Sequence, residues 1–479
     1  MNLPQMGAGE SERSLPIEVV LDALGQGKLP PNEVKAFVGA LTARHESVLR
    51  CRRDSVDSIP FATEPIDWYR LGRQSTEPDV RPSRCLAYAS GDYYLQDAGS
   101  LLALAACGCD QQFHFSTQEA SGPVICDLCA SPGGKASALL ESIGASGFLL
   151  ANEPIRSRIA PLAHNLARTG ADRFAISSLD PEILANALGG VFDLVVVDAP
   201  CSGQALLGRG KQSVSALASH QIEHSAARQQ RILAAAIGLL KPGGRLVYST
   251  CTFAAAENEL QIRPLIDDQL VESSPVECLA DYASGESTYR LWPHRHRCAG
   301  SFAASVQCLV DNQPATELRG RGSAKSRRKR SSQGSRKPPF DLSQWYQVTD
   351  EYRIVTEDAV AYAWPVNAPD WLASLASVHS LQGPEVAHRT GQTWKPSHAA
   401  ALRRDTAIQA THKIEIDAAT AKQFLSGAPI PCQQPGWQVV RYQSKPLGWI
   451  KGVVTGGGSA SGTGKNQLPA SARFTGDLA

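Results

Sequence analysis

Leu246-Val-Tyr-Ser-Thr-Cys-Thr-Phe-Ala-Ala-Ala-Glu-Asn-Glu259 (LVYSTCTFAAAENE) is the stretch whose reading decides the fold. An apolar run, Leu246, Val247 and Tyr248, ends in Ser249, Thr250, Cys251 and Thr252. The Lys241-Pro242-Gly243-Gly244 before it is a turn that feeds a strand. Glu257, Asn258 and Glu259 open a polar, helix-compatible stretch. The pattern predicts a buried strand that delivers Cys251 to its exit among hydroxyl groups. Open α/β sheets place their chemistry at the carboxyl ends of strands.

Working outward, Asp193-Leu-Val-Val-Val-Asp198 is a second buried-strand pattern, and it runs into Ala199-Pro200-Cys201-Ser202-Gly203. Two parallel strands would then each bring a thiol to one rim. A third segment, Asp127 to Lys135 (DLCASPGGK), puts a glycine turn after another apolar strand. Strands are predicted at 123–128, 147–151, 173–177, 193–198, 244–249 and 302–309. Helices are predicted at 134–142, 155–168, 181–187, 221–240 and 256–267. This alternation means βαβ units and a mainly parallel sheet, an α/β fold.

The chain is 479 residues long, enough for two or three domains, and its hydrophobic fraction of 43% is ordinary for a globular protein. The formal charge, 47 − 46 = +1, gives no global basic signal, so any nucleic-acid surface must be local. The 12 cysteines lack the spacing of a disulfide framework, which points to a reduced, cytoplasmic compartment. Residues 1–16 have neither a basic start nor an apolar core, and Leu101–Cys107 is too short to span a bilayer, so no membrane partner is expected.

Residues 15–47 read as two short helices around Leu29-Pro30-Pro31, and 48–96 as a small α/β module. Ser100 to Ala106 reads as a helix. Residues 313–338 place Arg319, Arg321, Lys325, Arg327, Arg328, Lys329, Arg330, Arg336 and Lys337 among Gly and Ser with no apolar periodicity. That is a disordered basic linker, a solvated spacer and equally a tether for phosphates. Globular composition returns from 341. Gly436–Tyr442 followed by Pro446–Ile450 reads as a two-stranded hairpin, and Gly/Ser-rich 456–464 as an insertion.

Gly133 and Gly134 permit a tight turn and close approach of a ligand to the backbone. Glu153, in Ala-Asn-Glu-Pro, lies 20 residues after Gly133, where a carboxylate accepts both ribose hydroxyls of a nucleoside. Lys135 is followed by Ala136 rather than Ser or Thr, which disfavours a triphosphate loop.

DLCASPGGK at 127–135, ANEP at 151–154, DAPCSG at 198–203 and YSTCT at 248–252 resemble, in order and spacing, the Sun-type (Fmu-type) RNA cytosine-C5 methyltransferases. The resemblance implies a class I, Rossmann-like methyltransferase sheet over residues 97–312. It implies an N-terminal RNA-contacting α/β extension over 1–96, a basic linker over 313–340 and a C-terminal PUA-like α+β RNA-binding region over 341–479. Lys465-Asn-Gln-Leu-Pro469 resembles the ending of family members that close with such a module.

The implied cofactor is S-adenosyl-L-methionine, contacted by Cys129, Ala130, Ser131, Pro132, Gly133, Gly134, Lys135, Glu153, Asp180 and Asp198. The implied catalytic residues are Cys251 as nucleophile, Cys201 as release residue and Asp198 as the group that binds the base. The implied partner is RNA, 16S rRNA or the small ribosomal subunit, with transfer RNA as the alternative substrate. DNA cytosine-C5 methylation shares a Pro-Cys pair like Pro200-Cys201, but the Ser-Thr-Cys251 segment and the tail point to RNA. A non-catalytic, RNA-binding ribosome assembly factor is the non-enzymatic alternative, against which Cys201, Cys251, Asp198 and Glu153 all stand.

The remaining motifs are weaker. Cys126-Asp-Leu-Cys129 lacks a second cysteine pair, and His220 with His224 lacks the metalloprotease glutamate, so no metal is expected. Arg209 and Lys211 are candidates for substrate phosphates or for a solvated loop. Phe302 stands where the family carries paired aromatics.

Overall fold

The computed structural model describes residues 15–25, 29–111, 122–313, 340–347, 350–404, 409–454 and 462–474. Most of the segment expected to be a basic linker, and residues 456–461 of the Gly/Ser run, lie outside them. The centre is a nine-stranded sheet. Five strands are parallel: β5 (Val124–Asp127), β6 (Phe148–Asn152), β7 (Phe174–Ser177), β8 (Phe192–Asp198) and β9 (Leu240–Thr250). β13 (Ser301–Cys308) lies antiparallel beside β9, and β10 (Val271–Ser273) and the β11–β12 hairpin (Ala283–Gly285, Thr288–Leu291) close that side.

The order β7-β6-β5-β8-β9-β13-β12-β11 reverses direction of winding at β5. The crevice between the carboxyl ends of β5 and β8 is therefore the topological switch point where such sheets bind ligands. Val195, Val196 and Val197 of β8 are fully buried because helices cover both faces, and this is why the strand reads as an unbroken apolar run.

The predicted strands and helices of this core are present with end shifts of a few residues. Two differences have a local cause. The Lys241–Gly244 turn is absorbed into an irregular start of β9, with Gly243 at φ +75°. The helix expected over 256–267 is divided at Asn258 (φ −121°, ψ −103°), which leaves a 3-10 turn at Ala255–Glu257 and a helix at Glu259–Asp267. Asn258 is turned inward there: Nδ2 donates to the Thr252 carbonyl (3.0 Å), and Oδ1 accepts from Thr250 Oγ1.

Before the central sheet stand helices Ile17–Leu24 and Val34–Leu41, then an antiparallel sheet ordered β2-β3-β1-β4 (Thr63–Ile66, Tyr69–Ser75, Ser47–Cys51, Tyr93–Asp97). Phe37 of the second helix meets Phe253 edge-on at 5.0 Å, and Phe253 stacks on Trp292 at 5.6 Å. This cluster is built directly under the thiol-bearing loop. Gly300 makes it possible, because a Cβ there would sit 2.4 Å from the Phe253 ring. Phe253→Ala is expected to cost about 3–5 kcal/mol, read as a fall in urea midpoint at unchanged slope. β1 is tied to the core by Arg50, which is 3% exposed; it pairs with Glu141 and donates to Ser137 Oγ (2.9 Å) on helix Gly134–Ser142.

The C-terminal portion holds two sheets. Strands Tyr352–Glu357, Val360–Pro365, Glu385–Thr390 and Thr393–Pro396 form an antiparallel four-stranded sheet. Between its second and third strands, helix Asp370–Val378 sets Trp371 against Phe148 (5.9 Å) and Phe192 (5.7 Å) of the central sheet. Ile176 of edge strand β7 exchanges both backbone hydrogen bonds with Gln382 (2.8 and 3.0 Å), so this edge is covered rather than left open. None of these strands is legible from the alternation that marks the core.

The last sheet has five strands, with the expected hairpin, Gly436–Tyr442 and Lys445–Val453, at its middle. The end of the presumed Gly/Ser insertion is a correction. Gly462–Asn466 is a strand, because Gly464 must lie flat against Ile450, where a Cβ would come within 2.6 Å of its Cδ1.

Candidate active site

β8 and β9 are parallel neighbours with Asp198 opposite Ser249, so both chains leave the sheet at one level. Cys201 lies three residues past the end of β8, and Cys251 one residue past the end of β9. Their sulfurs approach to 3.3 Å. Backbone bonds fix the two loops to each other: Ala199 N–H donates to the Ser249 carbonyl (2.9 Å), and Ala205 N–H to the Cys251 carbonyl (3.0 Å). Both thiols are half-buried. The Cys251 sulfur beside it and burial together push the Cys201 thiol well up.

A carboxylate and a cation stand next to the sulfurs. Lys135 Nζ lies 2.8 Å from Asp198 Oδ2, and Ser249 Oγ donates to Asp198 Oδ1 (2.9 Å). Burial pulls Lys135 down, but Asp198 and, at longer range, Asp127 and Cys251 outweigh it, and the ammonium is held above its usual value. The Asp198 side chain keeps 40% of its exposure, so this one carboxylate faces the crevice while Lys135 anchors it from beneath.

The glycine turn is as tight as its sequence implies. Gly133 has φ +108°, and a Cβ there would come within 3.0 Å of Asn165; at Gly134 it would meet Gln96 Oε1 at 3.0 Å. The Ser131 hydroxyl donates to the Arg158 carbonyl, and Arg158 donates back to the Ser131 carbonyl (2.6 Å). At the end of β6, Asn152 is fully buried and uses its amide to bind the Leu128 and Leu179 carbonyls, the Ser177 hydroxyl and the Leu179 N–H. It fastens the three loops that surround the crevice.

Glu153 follows, 2% exposed, with Oε1 accepting from Ile155 N–H (2.9 Å) and Oε2 without a hydrogen-bond donor, though Arg158 is 3.4 Å away. Asp180 is exposed at the rim and caps helix Pro181–Ala187 through Glu182 N–H (2.9 Å).

The structure thus brings Cys129–Lys135, Glu153, Asp180, Asp198, Cys201 and Cys251 to the carboxyl ends of neighbouring strands. It also adds residues that the motifs did not single out. Asp127, the last residue of β5, is fully buried with neither oxygen hydrogen-bonded. Burial first, and then Asp198, push it up to about 7. Its signal was available as an acidic residue closing an apolar strand before a glycine turn. Glu257 is wholly buried between the thiol loops, and nothing in its sequence context sets it apart from an exposed helix-start glutamate.

The other residues named from the sequence are committed elsewhere or exposed. Arg209 donates to Asp97 Oδ2 (2.9 Å), which ties the thiol loop to the end of β4. Phe302 is completely buried, capped by Arg290 at 5.4 Å, and offers no face to a base. His220 and His224 are exposed, and no cluster of three His, Cys, Asp or Glu suited to a metal occurs among the described residues.

Strand order, glycine turn and acidic strand ends define a class I methyltransferase domain, followed by a C-terminal β-rich module. Residues 116–307 match the family model described as 16S rRNA methyltransferase RsmB/F, and residues 411–474 match the methyltransferase RsmF PUA domain. Over these two segments the chain is similar to the RsmB/F family.

It is 30% identical over 254 residues to the ribosomal RNA small subunit methyltransferase F of Pectobacterium atrosepticum, matching 51% of that protein and 51% of this chain. With the protein of the same name from Serratia proteamaculans it shares 26% identity over 422 residues, covering 84% of that protein and 83% of this chain. The chain thus spans about half the length of the first of these relatives and most of the second. Among solved structures, a methyltransferase homologue from Pyrococcus horikoshii shares the fold, with TM-score 0.50 at 23% identity over 62% of this chain and all of that one.

The cofactor of the family is S-adenosyl-L-methionine, and the crevice fits it. Glu153 and Asp127 offer buried carboxylate oxygens with no donor of their own, and the glycine turn clears backbone for close approach.

Proposed function

We propose that this protein is an S-adenosylmethionine-dependent RNA cytosine-C5 methyltransferase that makes 5-methylcytosine, on 16S rRNA, through a covalent bond between Cys251 and C6 of the base. The observation that carries the reading is the pair of sulfurs 3.3 Å apart beside the Asp198–Lys135 pair, at the switch point of the sheet. S-adenosylmethionine supplies an electrophilic methyl group when bound. In this reading Glu153 accepts the ribose hydroxyls, the Cys129–Lys135 turn holds the amino-acid end, and Asp180 borders the adenine.

Cytosine C5 is a weak nucleophile until a thiolate has added at C6. Cys251 is the thiol placed to add, one residue past the end of β9 and beside the Asp198–Lys135 pair, and it adds as the thiolate. The S–C6 bond forms, the ring electrons move toward C5, and N3 takes up a proton. Asp198, fixed by Lys135 and Ser249, hydrogen-bonds the base at N3 and N4 and stabilises that protonated ring. C5 then attacks the methyl group. The C5 proton must next leave so that the C6–S bond can break and return Cys251 as the leaving thiolate. In this reading Cys201 in its thiolate form, or a base near it, takes up the C5 proton, and N3 gives back its proton as the C6–S bond breaks. The target base must be turned out of its stack to reach the sulfurs.

The division of labour along the chain follows: residues 1–96 as an RNA-contacting extension, 97–312 as the methyltransferase domain, 313–340 as a basic linker and 341–479 as the RNA-binding C-terminal region. Arg50, spent on Glu141, contributes by fixing the extension to the cofactor-side helix rather than by touching RNA.

Incubation with radiolabelled S-adenosylmethionine and 16S rRNA, assembled small subunits, tRNA or duplex DNA, followed by bisulfite mapping, tests the reading. A single 5-methylcytosine in 16S rRNA is expected. Methylated tRNA alone changes the substrate. Methylated DNA, or no binding of S-adenosylhomocysteine by calorimetry, overturns the reading.

A further inference from the structure

Glu257 is the buried charge that the reaction as described does not use. It is fully shielded from solvent, and four donors converge on it. Oε1 accepts from Ser202 Oγ (2.5 Å) and, at the long limit, Thr252 Oγ1 (3.4 Å); Oε2 accepts from Ser202 N–H (2.9 Å) and Gln229 Nε2 (3.0 Å). Ser202 is the residue after Cys201, and Thr252 is the residue after Cys251. The two hydroxyl oxygens lie 2.9 Å apart, close enough for Thr252 to donate to Ser202 in place of its long bond to the carboxylate.

Gln229, from helix Ser219–Leu239, uses the same amide to hold the Pro200 carbonyl (3.2 Å). The Glu257 carbonyl is itself fixed by Tyr248 Oη (2.6 Å). One carboxylate therefore grips both thiol loops from behind. Burial raises its affinity for a proton above that of a free glutamate, and the bonds from Ser202, Gln229 and Thr252 offset part of that rise. An ionised carboxylate is acceptor-only, and every polar side chain facing this one is placed to donate.

A buried anion here has a directional effect, since its field reaches Cys201 and disfavours a second negative charge there.

We propose that Glu257 is the positioning residue of the two-thiol site, holding Cys201 and Cys251 at their spacing through the residue after each, and that its fixed negative charge reserves Cys251 for attack and Cys201 for release. The inference rests on the two-thiol reading above.

The test compares Glu257→Gln and Glu257→Asp with wild type, measuring adduct formation, turnover against pH, S-adenosylhomocysteine affinity and melting temperature. Glu257→Gln removes the charge and sets an amide donor against Ser202 N–H. Turnover is expected to fall at least tenfold, with S-adenosylhomocysteine affinity within twofold of wild type. The apparent pKa of the release step is expected to move down by half a unit or more. Glu257→Asp, which keeps the charge on a shorter arm, is expected to restore the pH profile but not the full rate.

Wild-type turnover in Glu257→Gln overturns the proposal. So does an unmoved pH profile, or a loss that follows melting temperature equally in both variants. Should Glu257→Gln not fold, Ser202→Ala leaves the carboxylate in place and removes one tether. The release rate is then expected to fall with the pH profile unchanged, and a wild-type release rate there also overturns the proposal. If Cys201→Ala traps no covalent RNA adduct while wild type is active, the two-thiol reading has failed. If it traps the adduct and the Glu257 variants behave as wild type, only this inference has.

Discussion

Cys251→Ala is expected to abolish methylation, with turnover down by about 10⁴-fold or more, the scale of losing a covalent nucleophile, and to form no RNA adduct that survives denaturing gel electrophoresis. Cys201→Ala is expected to behave in the opposite way on that gel: it still attacks, still accepts the methyl group, and accumulates as a covalent complex because the release step is slow. The sulfurs are 3.3 Å apart, so one pyrimidine ring placed against Cys251 is also within reach of Cys201, and either thiol could attack on distance alone. The assignment follows the motif resemblance, with Cys251 one residue past β9, and it agrees with the push that its neighbour and burial give the Cys201 thiol. A stable adduct in Cys251→Ala, with none in Cys201→Ala, would reverse the roles. Failure of both variants to trap RNA, with wild type active, would exclude the covalent route.

These two positions were legible in the sequence because each ends an apolar strand and begins a polar loop. That pattern survives into the structure: β8 and β9 are buried on both faces, and both deliver their thiols at one rim. The same reasoning located the glycine turn and Glu153. It failed where the decisive contacts are between segments distant in the chain. Glu257 and Asn258 look like the opening of a helix, yet one turns inward to bind two loops and the other breaks the helix to hold Thr252. Trp371 and Gln382 belong to a region without a strong alternating pattern, and only docking against Phe148, Phe192 and the edge of β7 gives that region its place.

Turn chemistry was silent at one hairpin. The C-terminal hairpin turns on Gln443 and Ser444, both at positive φ (48° and 64°). It therefore adopts the two-residue geometry usually signalled by Asn-Gly without that signal in the sequence. The hairpin was recognised from its flanking strands alone. Phe302 shows the converse, since an aromatic at a suggestive position is fully used in the core beneath Arg290.

Asp127 carries the second large prediction. In the free protein its carboxyl is raised to about 7 by burial and by Asp198, and neither oxygen has a donor. An unfolded aspartate ionises near 3.9. Between those values the folded state holds a proton that the unfolded chain has lost, so Asp127 makes the free protein less stable as pH rises from about 4 to 7, and constant in its effect above that. A cofactor carrying an ammonium group at its amino-acid end reverses the preference, because it stabilises the ionised carboxylate. Binding of S-adenosylhomocysteine, which keeps that ammonium, is therefore expected to release a proton below pH 7 and to weaken by up to about tenfold for each unit of further acidification. Asp127→Asn is expected to lose roughly 100-fold in affinity at pH 8, about two pKa units' worth of interaction, to bind with no pH dependence between 5.5 and 7, and to melt higher than wild type in the free form at pH 8. Calorimetry in buffers of differing ionisation enthalpy counts the proton directly. Binding that is flat with pH in the wild type, and unchanged in Asp127→Asn, would make this carboxylate a structural partner of Lys135 instead of the group that receives the cofactor's amino end.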